Sequence, residues 1–245
     1  GIKPLYYTYF NQGFAFASEI TTLLKIPNIN PQINSQRAYE YLHSGITDYG
    51  DQTLFANINQ LPSAHYLEIS LTNFTKSQPI RYWQINLNQN LDISYQEATA
   101  QIRELFLNNM QLHLRSDVPL GAALSGGIDS SAIVMAMRHL LGEKLQLLTL
   151  SYVASDDKIN EEKWIDLIND QSQSISAKIQ PHPQELINDL EHLIAIQGEP
   201  FGSTSIYAQY RVFQLAKSTG IKVMLDGQGA DEILVGYRSY LSARM

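Results

Sequence analysis

From Ser94 onward the chain changes its hydrophobic period, and that change limits the folds open to it more than any other feature. Ser94-Tyr95-Gln96-Glu97 reads as a capping box, behind which Ala98, Ile102, Leu105, Phe106 and Leu112 recur at helical spacing. Short apolar runs then alternate with helical stretches. They are strand Leu120–Leu124, helix Ser130–Leu141 closed by Gly142, strand Leu145–Tyr152, helix Glu161–Asp170 and strand Ser174–Gln180. Helices Gln184–Gln197 and Thr204–Ser218 (closed by Gly220) and strand Ile221–Leu225 complete the series. Such alternation predicts an α/β domain with a doubly wound parallel sheet, whose ligands bind beyond the carboxyl ends of the strands.

Residues 1–85 read as mostly β. Leu5–Phe10 and Phe14–Ala17 are aromatic-rich runs joined by Asn11-Gln12-Gly13, a hairpin signal. Short helical patterns follow at Glu19–Lys25 and Gln36–His43, then strands near Thr53–Ala56, His65–Leu71 and Arg81–Ile85. The polar stretch Asn86–Asp92 is the linker candidate, dividing the 245 residues into domains at 1–88 and 89–245.

Charge and composition exclude several functions. Residues 1–89 hold 5 basic and 5 acidic residues, whereas 90–245 hold 12 basic and 19 acidic, so the net charge of −7 belongs to the second part. That is a poor surface for nucleic acid, which needs clustered Lys and Arg. Any phosphate bound here is held by backbone N–H groups or a metal. There is no cysteine, which removes disulfides, thiolate metal sites and cysteine nucleophiles. The six histidines show no ligand spacing. With no apolar run of about 20 residues and no signal peptide, a cytoplasmic protein is expected, although the chain begins at Gly1 and not at Met.

Two loops fall at strand ends. The first, Leu124-Ser125-Gly126-Gly127-Ile128-Asp129-Ser130-Ser131, joins an apolar strand to an apolar helix. Its glycines let backbone approach a ligand, and the helix start supplies free N–H groups and a positive dipole end. Ser125 and Ser130 add hydroxyls, while Asp129 offers a carboxylate for Mg²⁺. The plain alternative is a turn in which Asp129 or Ser130 only caps the helix. The full pattern S-G-G-x-D-S arises by chance in roughly 1 in 3,000 chains of this size, which favours pyrophosphate binding. The second loop, Leu225-Asp226-Gly227-Gln228-Gly229-Ala230-Asp231-Glu232, brings a second carboxylate, Asp231, that can join Asp129 on one Mg²⁺. Its plain alternative is a glycine-rich turn whose Asp231-Glu232 opens a helix.

The first loop resembles the PP-loop of ATP pyrophosphatases and differs from the Walker loop, which the chain lacks. The pair of loops is similar to the glutamine-dependent asparagine synthetase family, whose synthetase domain follows S-G-G-x-D-S with G-x-G-x-D-E-x-x-x-G-Y. Here the second motif ends Glu232-Ile233-Leu234-Val235-Gly236-Tyr237, and Glu199-Pro200-Phe201 resembles an E-P-F segment between them. Gly1-Ile2-Lys3-Pro4-Leu5-Tyr6-Tyr7, Phe16-Ala17-Ser18-Glu19, Thr53-Leu54-Phe55, Leu61-Pro62, His65 and Tyr82-Trp83 look like the second half of the family's glutaminase domain. Nearly the whole chain is covered.

The resemblance implies a partial α+β Ntn-type glutaminase domain followed by a Rossmann-like, parallel-sheet PP-loop domain. It implies cleavage of ATP between its α- and β-phosphates, with Mg²⁺, to adenylate the β-carboxylate of aspartate. Ammonia drawn from glutamine then completes an amide. By the same resemblance, Leu124, Ser125, Gly126, Gly127, Asp129, Ser130, Tyr152, Asp226 and Gly227 bind the nucleotide, with adenine near Leu124, Tyr152 and Gly227. Asp129, Asp231 and Gln228 serve the chemistry. Partners are small molecules, with neither nucleic acid nor membrane, and a homodimer stays open.

Departures from the family pattern qualify this. The family's glutaminase uses an N-terminal Cys, and the resemblance starts midway through that domain, so truncation at both ends is expected. Gln228 stands where Glu is common, Asp226 where Ser is usual, and Val235 where Gly is common. These keep two rivals in view: an amidotransferase or cyclase adenylating a sugar, peptide or β-amino acid carboxylate, and a catalytically dead fragment.

Overall fold

The structure, a computed structural model, describes residues 3–11, 13–47, 50–72, 76–86, 92–142, 146–237 and 239–240. The chain divides into two compact units, Gly1–Asn90 with Ile187–Thr204, and Leu91–Leu186 with Ser205–Met245. Gln12, most of the linker candidate (87–91) and Leu145 lie outside the described residues.

In the first unit, β1 (Tyr6–Phe10) and β2 (Gly13–Ala17) form the expected antiparallel hairpin, with Tyr6 opposite Ala17 and Phe10 opposite Gly13. After α1 (Ile20–Leu23) and α2 (Ser35–Ser44), β3 (Asn59–Gln60) pairs with β1. The Asn34 side chain accepts from the Arg37 N–H at the start of α2, and Gly45 ends the helix at φ +67°. Ile20, Leu23 and Ile58 make the buried core, with Tyr6 and Phe55 packed on it.

Three expected strands shrink. Thr53–Ala56 keeps a single antiparallel bridge, Phe55 with Ile33, in which the Asn34 N–H donates to the Leu54 carbonyl and the Ala56 N–H to the Gln32 carbonyl, both at 2.8 Å. The buried Thr53 hydroxyl, 3.0 Å from the Phe55 carbonyl and 2.7 Å from that of Ile58, then turns the chain back. In place of His65–Leu71 and Arg81–Ile85 there is a two-residue ladder, β4 (His65–Tyr66) with β5 (Ile80–Arg81). Pro79 lacks an N–H and precedes β5, and Leu71, Trp83 and Ile85 are exposed, so nothing rewards a longer strand. Residues 187–204 belong to this unit: the Glu199 carboxylate accepts from the Leu54 N–H at 2.6 Å, and the Tyr41 hydroxyl donates to the Phe201 carbonyl.

The second unit begins with α3 (Tyr95–His113), whose capping box is formed: Glu97 N–H donates to the Ser94 hydroxyl while the Ser94 N–H donates to the Glu97 carboxylate. The elements that follow are β6 (Leu120–Ala123), α4 (Ile128–Leu141), β7 (Leu148–Tyr152), α5 (Glu162–Ser172) and β8 (Ile175–Ile179). Then come α6 (Pro183–Gln197), which from Ile187 onward belongs to the first unit, α7 (Ser205–Ser218), β9 (Val223–Leu225) and α8 (Ala230–Leu234). The four strands form one parallel sheet in the order β8-β7-β6-β9. This is the α/β parallel sheet that the alternating pattern predicts. Val134 and Met137 of α4, Ile165 of α5 and Met110 of α3 bury one set of strand side chains, including Ala122 and Leu124. Val212 and Ala216 of α7 bury another, around Leu150.

One polar chain crosses the interior. The Thr149 hydroxyl, fully buried on β7, donates to Asn169 Oδ1 at 2.6 Å, and Asn169 Nδ2 donates to the Ser176 hydroxyl at 3.0 Å. It ties β7, α5 and β8 together. Asn169→Ala leaves a buried hydroxyl without its acceptor, so unfolding in denaturant should show a loss of about 2 kcal/mol. A midpoint equal to wild type would mean that the sheet edge is held by apolar packing alone.

Candidate active site

Chain order places the site. From β6 the chain adds β7 and β8 on one side, then returns with β9 on the other side of β6. Where the winding reverses, neighbouring strands open at their carboxyl ends, the usual position of a ligand crevice in such sheets. Ala122 pairs with Leu225, so the loop after β6 and the loop after β9 leave the sheet side by side.

In the first loop the hydroxyl of Ser130 does most of the closing. It accepts from the Ser125 N–H at 3.2 Å, lies 3.1 Å from the Ser125 hydroxyl, and donates to the Gly127 carbonyl. Ser130 is buried, so this sequence-predicted ligand donor is first a loop closure. α4 starts at Ile128 with Gly127 as its cap residue and no side-chain cap. Asp129 and Ser130 therefore sit inside the first turn and cap nothing. Asp129 is half-buried, with no hydrogen-bond or ion-pair partner among the described residues.

The glycines divide by what they approach. Gly126 has φ +87°, and a Cβ there would lie 3.0 Å from Trp164 Cβ and 3.1 Å from the Glu161 carbonyl. A Cβ on Gly227 would lie 3.1 Å from Asp129 Cβ and 3.2 Å from the Ser130 nitrogen, so the second loop rests on the first turn of α4. Gly127 is different: its φ is −69°, and an added Cβ would meet only the Ser125 hydroxyl at 3.4 Å.

The second motif also has an internal logic. The Asp231 carboxylate lies against Gly236, where any Cβ would fall on it, and the Gly236 N–H donates to the Asp231 carbonyl at 2.9 Å. The Tyr237 hydroxyl donates to Glu232 at 2.9 Å, a bond that holds the phenol above its ordinary pKa. D-E-x-x-x-G-Y is thus a wrapped turn, with Asp231 directed at its own closing glycine.

Beside the loops lies a cleft of about 350 Å³. Six sequence-predicted residues line it: Leu124, Ser125, Ser130, Tyr152, Asp226 and Gln228. Gly126, Gly127, Gly227, Asp129 and Asp231 are not among its walls. Among the described residues no group of three or more His, Asp or Glu side chains is placed to hold a metal. Sequence reading missed the opposite wall: Glu161 from the loop before α5, and Ser205, Gln209, Val212 and Phe213 from α7. Only one signal for it existed. The helix preceding β9 must cross over the sheet at the switch point, so its inward face borders any crevice there. Gln209 Nε2 donates to Asp226 Oδ2 at 3.4 Å across this space.

The asparagine synthase family profile matches residues 101–245, and a glutamine amidotransferase domain profile matches residues 1–83. Asparagine synthetase [glutamine-hydrolyzing] 2 of Bacillus subtilis is 32% identical over 99% of this chain and 34% of its own length. Asparagine synthetase [glutamine-hydrolyzing] 3 of the same organism is 29% identical over 97% of this chain and 40% of its own. A Gibberella zeae protein named amidase chry2 is 25% identical over 98% and 37%. Among solved structures, an NH3-dependent NAD synthetase from Campylobacter jejuni covers 59% of this chain and 61% of its own at 16% identity, with a TM-score of 0.37, too distant to weigh. The chain spans about a third of the length of the first of these curated relatives. With the profile covering the whole sheet and both loops, the chain belongs to the asparagine synthase family.

Proposed function

We propose that the protein to which this chain belongs adenylates a carboxylate with Mg·ATP and then aminates it, the β-carboxylate of aspartate being the substrate and glutamine the source of ammonia. The observation that carries this is the adjacency of the two motif loops at the reversal of the sheet, with Gly227 seated on the first turn of α4. A pyrophosphate there would meet the N–H groups and dipole of a 14-residue helix at Gly127, a glycine that the surrounding chain leaves uncrowded. The cleft beside it has the volume and the mixed apolar and polar walls of a nucleotide site.

In the reaction, a carboxylate oxygen attacks the α-phosphorus in line, and the bond to the bridging oxygen breaks. Pyrophosphate leaves toward Gly127. Ammonia then adds to the acyl carbon, and AMP departs. This chain's part is to hold both reactants and neutralise the leaving group. Mg²⁺, when bound, would supply charge neutralisation at the phosphate oxygens. Asp129 fits it, being an unpaired carboxylate beside the anion site, and Mg²⁺ commonly takes one or two carboxylates along with phosphate oxygens. Asp231 fits only if its side chain leaves Gly236. ATP and glutamine are cytoplasmic metabolites, and we assign the protein there; among the described residues no helix is long and apolar enough to cross a membrane.

A second reading has one specific support. Gln228 and Asp226 line the cleft in place of the family's commoner Glu and Ser, and a relative named as an amidase matches as much of the chain as the synthetases do. A different carboxylate, on a sugar, peptide or β-amino acid, would suit such a cleft. Pyrophosphate exchange by the full-length enzyme, measured against a panel of carboxylates, decides: exchange dependent on aspartate supports the first reading, and exchange that ignores aspartate sinks it.

Five variants at four positions test the loops. Asp129→Asn should lower pyrophosphate release at least about tenfold, ~1.4 kcal/mol in the barrier, with unfolding unchanged. Wild-type turnover would remove Asp129 from the metal. Gly126→Ala should cost about 1–2 kcal/mol of stability because of its positive φ, while Gly127→Val should fold within about 0.5 kcal/mol of wild type yet lose ATP affinity in calorimetry. Equal ATP affinity for Gly127→Val would make the loop a structural turn only. Gln228→Ala should slow adenylation while ATP affinity stays within about threefold, ~0.7 kcal/mol, and Gln228→Glu should be milder. Identical rates for all three side chains would point Gln228 away from the chemistry.

A further inference from the structure

Polar contacts of different kinds tie the two ends of α5 to the sheet. Its later turns are held from inside by the chain from Thr149 through Asn169 to Ser176, and Arg138 donates to the Ser172 and Gln173 carbonyls where the helix ends. Its start is held from β8. Lys178 Nζ pairs with Glu162 Oε1 at 2.8 Å and also with Asp166 Oδ1, two carboxylates one turn apart on α5. Like charges at that spacing repel, so one cation between them offsets the repulsion and fastens the first turn of α5 to β8.

That first turn lies against the first motif loop. The Glu161 carbonyl accepts from the Trp164 and Ile165 N–H groups at 2.9 and 3.2 Å, so it belongs to the base of α5. The same carbonyl and Trp164 Cβ leave Gly126 no room for a Cβ, at 3.1 and 3.0 Å, where φ is +87°. Gly126 stands between Ser125, which lines the cleft, and Gly127, from which α4 begins. The start of α5 is therefore the outer support of the loop, while the Ser130 hydroxyl closes it from the α4 side.

Resting on the nucleotide reading above, we propose that Lys178 is a positioning residue for the adenylation step: its clamp on Glu162 and Asp166 sets the start of α5, and α5 sets the conformation of Gly126 and with it the direction of the loop N–H groups. Lys178 is not among the walls of the cleft, and its amino group is engaged by the two carboxylates, so its effect on a nucleotide passes through α5. Pairs as exposed as these add little to global stability. Donors aimed at a leaving group, by contrast, lose effect on small displacement. The signature is a loop and affinity defect in a protein of nearly wild-type stability.

The test compares the full-length wild-type enzyme with Lys178→Met, which keeps the apolar stem, and Lys178→Arg, which can hold both carboxylates. Hydrogen exchange of the peptide spanning 124–130 is read without nucleotide, and Mg·ATP affinity by calorimetry. Lys178→Met should exchange that peptide about threefold faster and bind Mg·ATP about threefold more weakly, the scale of a partly exposed ion pair. The urea midpoint and the KM for the carboxylate substrate should stay at wild type, and Lys178→Arg should recover both losses. Asp166→Asn, at the exposed end of the clamp, should reproduce part of the defect and add nothing to Lys178→Met. Unchanged loop exchange in Lys178→Met overturns the proposal. So does faster exchange throughout the second unit with a lowered urea midpoint, which would make the clamp ordinary structural support, and so does an Arg variant as defective as Met. Absence of Mg·ATP binding in the wild type overturns the nucleotide reading alone, because loop exchange in the three enzymes still decides whether the clamp positions the loop.

Discussion

Parallel pairing of β6 with β9 is the contact on which everything at the site depends. Parallel strands share a direction, so their carboxyl ends lie together, and whatever follows each strand must share one small region of space. With Ala122 opposite Leu225, Ala123 and Asp226 follow at the same level, and the Ser125 loop and the Asp226 loop leave the sheet side by side. A one-residue slip would turn every β9 side chain to the opposite face, separating Asp226 from Gln209 and Gly227 from Asp129. Three strand residues on β9 fix this register, helped by Ile221 and Met224 packing against the α7 side of the sheet.

Crowding at that junction explains the glycines better than ligand approach does. Read from sequence alone, the glycines of the first loop make room for a ligand. In the structure, Gly126 makes room for the Glu161 carbonyl and Trp164, Gly227 for the first turn of α4, and Gly236 for the Asp231 carboxylate. Each removes a Cβ so that two stretches of the same chain can touch. Gly127 and Gly229 lack such a neighbour: Gly229 is required for its φ of +93°, whereas Gly127 has an ordinary φ of −69° and is the residue from which α4 begins. A glycine demanded by the fold and a glycine demanded by a ligand look identical in a motif. The difference lies in whether the space beside the Cα is already filled.

What could be read from sequence followed the strength of local signals. The capping box at Ser94, the hairpin before Phe14 and the strand–helix alternation each rest on a short-range pattern, and all are formed. The strands expected at Thr53–Ala56 and His65–Leu71 shrink to one bridge and a two-residue ladder, because a strand extends only as far as a partner runs beside it, and that extent is not encoded in a few residues. The Thr53 hydroxyl turns to the Phe55 and Ile58 carbonyls, which bends the chain beyond the bridge. The α7 wall was invisible for a related reason: Ser205, Gln209 and Phe213 form no motif, and their place at the cleft follows only from where the crossover helix must lie. The same holds for Glu199, which reads as part of the second domain by position and reaches Leu54 in the first unit.

Acidity of the second part of the chain then acquires a mechanical meaning. A cleft whose charged walls are carboxylates cannot attract free ATP⁴⁻ by long-range field, and the roughly half-unit of positive charge at one helix start offsets only a fraction of it. Under the proposed function, phosphate binding would rest on short-range N–H donors and on a cation that arrives with the nucleotide. Under the proposed function this makes the ligand Mg·ATP and couples nucleotide affinity to the metal. On that reading Asp129, beside the cleft, would share the cation. Negative charge that would weaken an anion site used alone becomes a filter for the one complex that brings its own positive charge.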